Sequence, residues 1–105
     1  MARPVYSVRF LAQLGLDGTF TLTNDTGDTW ILRDLDAFTD DPGGSGGVWL
    51  IGSSGQTIWE NDINGAGTTY ASWRGRQIIN AGESFAVKAD APSDITVSGY
   101  QLTPS

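Results

Sequence analysis

Apolar residues recur at every second position along this chain, in short runs rich in Val, Ile, Thr and aromatic side chains separated by clusters of Gly, Asn and Asp. A period of two is the pattern of half-buried strands, and its repeated interruption by turn formers points to an all-β sandwich or barrel. The spacing predicts strands over Val5–Ala12, Thr19–Asn24, Trp30–Phe38, Val48–Ser53, Gln56–Asn61, Thr68–Arg76, Ser84–Ala89 and Ile95–Leu102. Only Arg33–Phe38 has the makings of a helical turn, and Trp30-Ile31-Leu32 before it is better strand material. In the first strand Tyr6, Val8, Phe10 and Ala12 share a face, and in the second Phe20 and Leu22 point inward.

Turns are read at Leu14–Gly18, Asn24–Asp28, Ser54-Gly55, Asn64–Gly67 and Asn80–Gly82. Residues 40–47 form a flexible Gly-rich loop, and Asp90–Asp94 breaks the last two strands apart. The last strand changes phase, with Ile95 and Val97 on one parity and Tyr100 and Leu102 on the other. A bulge at Gly99, or a crossing between two sheets, would return both pairs to the core. Eight strands, short hairpins and one longer loop fit a compact antiparallel β-sandwich, most simply an eight-stranded jelly roll, with an immunoglobulin-like sandwich as the alternative. The 105 residues make one domain over 1–105, with short tails at 1–4 and 103–105.

Composition narrows the chemistry. The sequence has neither histidine nor cysteine, which excludes disulfides, thiolate or imidazole metal sites, and nucleophilic triads with a histidine base. Twelve acidic residues against 6 basic ones give a net charge of −6, which opposes binding to nucleic acid and to anionic membranes. The opening Met1-Ala2-Arg3-Pro4-Val5-Tyr6 lacks the apolar run of a secretory signal, so synthesis in a cytosol is expected. No cofactor is expected.

Carboxylates are the remaining acid–base candidates. Asp34 and Asp36, two apart on one strand, share a face at a spacing suited to a glycosidase pair or a cation; the plainer reading is that Asp34 pairs with a strand-face arginine. Glu60-Asn61-Asp62-Ile63-Asn64-Gly65 resembles the front of a calcium loop, but its twelfth position is Ala71 where a bidentate glutamate is needed. Gly43, Gly44, Gly46 and Gly47 lack the following lysine and helix of a phosphate loop. Asn24-Asp25-Thr26 is formally a glycosylation sequon.

Four tryptophans, Trp30, Trp49, Trp59 and Trp73, exceed what a small core needs. Trp49 lies between Val48 and Leu50 and Trp30 beside Ile31, so these strands are apolar on both faces, as where a second face is covered by a subunit or a ligand. Trp49 and Trp59 are therefore candidates for an assembly surface or a sugar-stacking platform. Arg74 and Arg76 share a strand face, with Trp73 turned to the core, and form a cationic pair in an acidic protein. Their expected partners are Asp34, Asp36, Asp40 and Asp41 of a neighbouring copy, against the plainer possibility of pairing within the chain.

Val8-Arg9-Phe10-Leu11-Ala12, Ile31-Leu32-Arg33-Asp34-Leu35-Asp36, Gly55-Gln56-Thr57-Ile58-Trp59, Trp73-Arg74-Gly75-Arg76-Gln77, Ala81-Gly82-Glu83-Ser84-Phe85 and Val97-Ser98-Gly99-Tyr100-Gln101-Leu102-Thr103-Pro104 resemble small virion proteins of tailed bacteriophages. The resemblance implies a small β-sandwich made in the bacterial host cytoplasm and built into the virion in several copies, in the tail or neck or as a capsid decoration protein. Its partners would be itself and other virion proteins; a trimer is favoured by analogy with small jelly rolls, which often pack around three-fold axes. A host-surface glycan is the partner under the alternative that the chain is a carbohydrate-binding module. No active-site residue is carried over.

Overall fold

The computed structural model describes residues 5–41, 46–63 and 67–102. Among these residues every element is a strand: β1 (Val5–Thr23), β2 (Thr29–Asp41), β3 (Gly46–Ile51), β4 (Thr57–Ile63), β5 (Gly67–Ile79) and β6 (Ser84–Leu102). All the pairings are antiparallel. Six strands replace the expected eight because two pairs fuse. The expected turn at Leu14–Gly18 and the expected break at Asp90–Asp94 both lie inside continuous strands, β1 and β6.

The reason is visible in the register. β1 and β6 pair from Val5↔Leu102 to Thr23↔Ser84, and the ladder slips where Gln13–Gly18 faces Ala89–Ile95. Gly15 and Gly18 take φ of +65° and +128° there, conformations that side-chain-bearing residues rarely adopt. The pair bends at this corner without separating. On the far edge of β6, β2 pairs with residues 93–102 and β3 with residues 86–89. One continuous sheet thus divides into two halves, each ordered β1–β6 and then either β2–β5 or β3–β4. That order is compatible with a jelly roll and gives an all-β antiparallel sandwich.

The halves close on one core. β6 buries every second residue from Phe85 through Ala91 to Val97, so its inner face never changes along both halves. Opposite it stand Leu11 of β1, Leu32, Leu35 and Ala37 of β2, and Val48 and Leu50 of β3, all buried. Trp30, 6% exposed, lies 4.8 Å from Phe10 and 6.4 Å from Phe85 between ring centroids, and so joins the two ends of the folded sheet. A buried Asn24 clasps the same end. Its amide donates to the carbonyls of Asp28 and Ile79, its side-chain oxygen accepts from Thr26, and its backbone bonds Gly82 and Glu83. In the folded chain the asparagine of the sequon thus spends its side-chain amide on closing this end. At the corner, Thr39 and Ser93 share a buried hydroxyl bond of 2.6 Å.

Two expected faces are corrected by bulges. β1 carries one extra residue between Arg9 and Leu11, so Leu11 turns inward and Ala12 outward. The phase change at the end of β6 is not a bulge in β6. The extra residues are Phe10 on β1, opposite the step between Ser98 and Val97, and Arg33 on β2, opposite the step between Gly99 and Ser98, while Tyr100 stays on the outside, 38% exposed. Gly99 is required for another reason: a Cβ there would collide with the Ile31 carbonyl oxygen and stand 3.0 Å from the Arg33 nitrogen.

Gly99→Ala should therefore cost about 1–3 kcal/mol, the range of an overpacked core, read as a lower denaturation midpoint with an unchanged slope. Asn24→Ala strands the Asp28 and Ile79 carbonyls and should cost about 1–3 kcal/mol in the same measurement, whereas Asp25→Ala, one residue on and exposed, should be near neutral.

Candidate functional site

Because the inner faces are consumed by the core, recognition falls to the outer faces, and the registers set their side chains in rows. On the β3 half, Lys88, Trp49 and Glu60 stand side by side. The Lys88 ammonium lies 4.6 Å from the Trp49 ring centre, and the indole N–H donates to Glu60 at 2.6 Å. The ring also lies over Gly47, where a Cβ would approach it to 3.0 Å. Trp59 faces Leu50 and packs against the core. Trp49 and Trp59 are on opposite faces, and the two do not form one platform.

The β2 half has a banded outer face. Tyr100, Ile31 and Ile78 form an apolar row, with Tyr100 and Ile78 exposed. Arginines follow: the Arg33 guanidinium sits 5.7 Å from the Tyr100 ring centre, and Arg9, Arg74 and Arg76 are exposed on the same side. Next come Ser98, Asp34 and Arg74 in one row, Thr96, Asp36 and Ser72 in another, and Asp94, Phe38 and Tyr70 in the last. Four of the 6 basic side chains of an acidic protein thus lie on one sheet face.

Asp34 and Asp36 share this face as their spacing implied, and both are taken up within the chain. Arg74 lies 3.2 Å from Asp34 and 2.9 Å from Asp36, and it also donates to the Leu35 carbonyl. The Asp36 hydrogen bond, opposed by desolvation and helped by the charges of Asp36 and Asp34, raises the Arg74 guanidinium above its ordinary pKa. The two carboxylates thus anchor one cation across the β2–β5 pair. Arg76 is exposed two residues on, while Trp73 packs against the core with its ring across Gly75. Asp40 and Asp41 end β2, and their side chains lie outside the described residues, as do Pro42–Ser45 of the glycine loop and Asn64-Gly65 of the calcium-like segment. Among the described residues no group of three or more acidic side chains is placed to hold a metal ion.

Residues that had not been singled out complete the face. Tyr70, 77% exposed, lies against Phe38 with ring centres 4.9 Å apart, beside a cavity of about 410 Å³ lined also by Asp36, Ser72, Asp94 and Thr96. The signal was available: Tyr70 and Ser72 have the same parity as Arg74 and Arg76.

No protein-family model matches the chain, and no curated protein does. Solved structures do share its fold. A cryo-EM structure of the extra small virus (XSV) VLP of the giant freshwater prawn Macrobrachium rosenbergii matches with a TM-score of 0.50 at 14% identity, over 100% of this chain and 82% of that one. A Bacillus endospore appendage, from a family of disulfide-linked pili, matches with a TM-score of 0.51 at 12% identity, over 100% of this chain and 93% of that one. At these identities the likeness is one of fold: an all-β antiparallel sandwich.

The Arg74 anchor is an exposed ion pair, so it is salt-sensitive and modest. Arg74→Ala should lower the thermal midpoint by a few degrees at low ionic strength and by less at high salt, and Arg76→Ala should leave it unmoved at both.

Proposed function

We propose that this chain is a non-enzymatic structural protein of a tailed-phage virion, self-associating as a trimer or a larger ring in the tail or neck region. The observation that carries the reading is the likeness in fold, over all 105 residues, to proteins of a virus-derived VLP and of pili. The sequence resemblance to phage virion proteins points the same way. The absence of histidine and cysteine supports a role without catalysis. It also excludes disulfide links of the kind named for the pili between copies of this chain.

The banded β2-half face supplies such contacts. Copies of net charge −6 repel one another, and the arginine band is where that repulsion is locally reversed. Arg76 and the adjoining row of Ile78, Ile31 and Tyr100 combine a cation with exposed apolar surface, the composition favoured at protein interfaces. Arg74, already anchored, contributes its apolar stem more than its charge.

Sedimentation of the purified protein is expected to show a concentration-dependent oligomer. Arg76→Ala with Ile78→Ser should weaken that assembly about tenfold or more, about 1.4 kcal/mol, while the thermal midpoint of the monomer holds. A protein that stays monomeric at high concentration and is missing from density maps of the intact particle would overturn the reading.

A further inference from the structure

The open cavity beside Tyr70 adjoins the arginine band and is tied to it through the pairing of Asp36 with Arg74. We propose that it binds a neutral saccharide. Three features carry this. First, Tyr70 is 77% exposed and is held in place by Phe38, its direct cross-strand neighbour, so the sheet presents a fixed aromatic surface to water. The apolar C–H face of a pyranose stacks on such a ring. Second, the neighbouring row is short and polar: Thr96, Asp36 and Ser72 stand abreast on three adjacent strands. Rows on one face are about 7 Å apart along the strands and about 5 Å across them. A ring lying on Tyr70 therefore has its hydroxyls over Ser72 and Asp36.

Third, the two carboxylates are oriented before any ligand arrives. Asp36 Oδ1 accepts from Arg74 at 2.9 Å, and Asp94 Oδ1 accepts from the Gly15 backbone N–H at 2.9 Å. Each retains a second oxygen that no described residue engages through a hydrogen bond, a preset acceptor for a hydroxyl donor. Serine and threonine hydroxyls beside them both donate and accept, which matches the dual character of sugar hydroxyls. A phosphate-bearing or uronic-acid ligand is disfavoured by the same carboxylates. At about 410 Å³ the cavity is within the usual range of small-ligand sites.

The test is a titration of the ¹⁵N-labelled full chain with chitohexaose, cellohexaose and maltohexaose at millimolar concentration, and with tetralysine as a cationic contrast. At least one saccharide is expected to shift the amides of Asp36, Phe38, Tyr70, Ser72, Asp94 and Thr96 together. Tyr70→Ala, an exposed change that leaves the rest of the spectrum in place, should weaken that binding about tenfold. If no saccharide shifts those amides, if Tyr70→Ala leaves the affinity unchanged, or if tetralysine alone perturbs them, the proposal is wrong. Failure here leaves the assembly reading standing, since that depends on Arg76 and Ile78 and is read by sedimentation.

Discussion

The ladder between β1 and β6 runs through both halves of the molecule, and the rest of the structure is hung from its bend. A sheet with one apolar face must cover that face, and this chain covers it with itself. The corner at Gln13–Gly18 allows two 19-residue strands to turn without losing their pairing. Because β6 keeps a single parity through the turn, the face that is inner in one half is inner in the other. Trp30 between Phe10 and Phe85 then fills the end of the fold, and Asn24 satisfies the backbone carbonyls that closure leaves inside. Closure is not free of cost: the Trp30 indole N–H and the Arg33 Nε are buried with no hydrogen-bond partner among the described residues.

That economy places every recognition property on the outside. Period-two alternation gives each inward row an outward one, and the two outer faces have been used differently. The β3-half face is internally satisfied, with the ring and N–H of Trp49 engaged by Lys88 and Glu60. The β2-half face is graded from apolar through cationic to anionic and aromatic, and its groups are only partly matched to one another. Arg74 is the hinge of that gradient, since its pairing with Asp34 and Asp36 separates the arginine band from the row of short polar side chains. The proposed assembly and saccharide surfaces are thus neighbouring parts of one sheet, joined through the Arg74–Asp36 pair.

Much of the face was legible beforehand. The parity of Arg74 and Arg76, the opposite parity of Trp73, and the shared face of Asp34 and Asp36 follow from alternation within one strand. What alternation could not say is which strand lies next to which. Asp34 meets Arg74 only because β2 pairs with β5 in one register, and Trp49 parts from Trp59 only because Leu50, and not Trp49, faces Trp59. Tyr70 was overlooked for the same reason. Its partners Phe38 and Asp94 are distant in the chain and adjacent only across three strands.

By itself the sequence determined the class of fold, the positions of nearly all the strands, and a chemistry without imidazole or thiol, because these depend on local periodicity and on residue types. Tertiary structure alone decided the continuity of β1 and β6, the inward turn of Leu11 and the outward place of Tyr100. The first two turn on register slips between paired strands, which no single strand's sequence carries, whereas Tyr100 is outside because β6 keeps one parity to its end. Gly99 illustrates the difference. Its place in a strand suggested a bulge of its own, yet the extra residues belong to its two neighbours, and the glycine is there because the Ile31 carbonyl comes too close for any side chain.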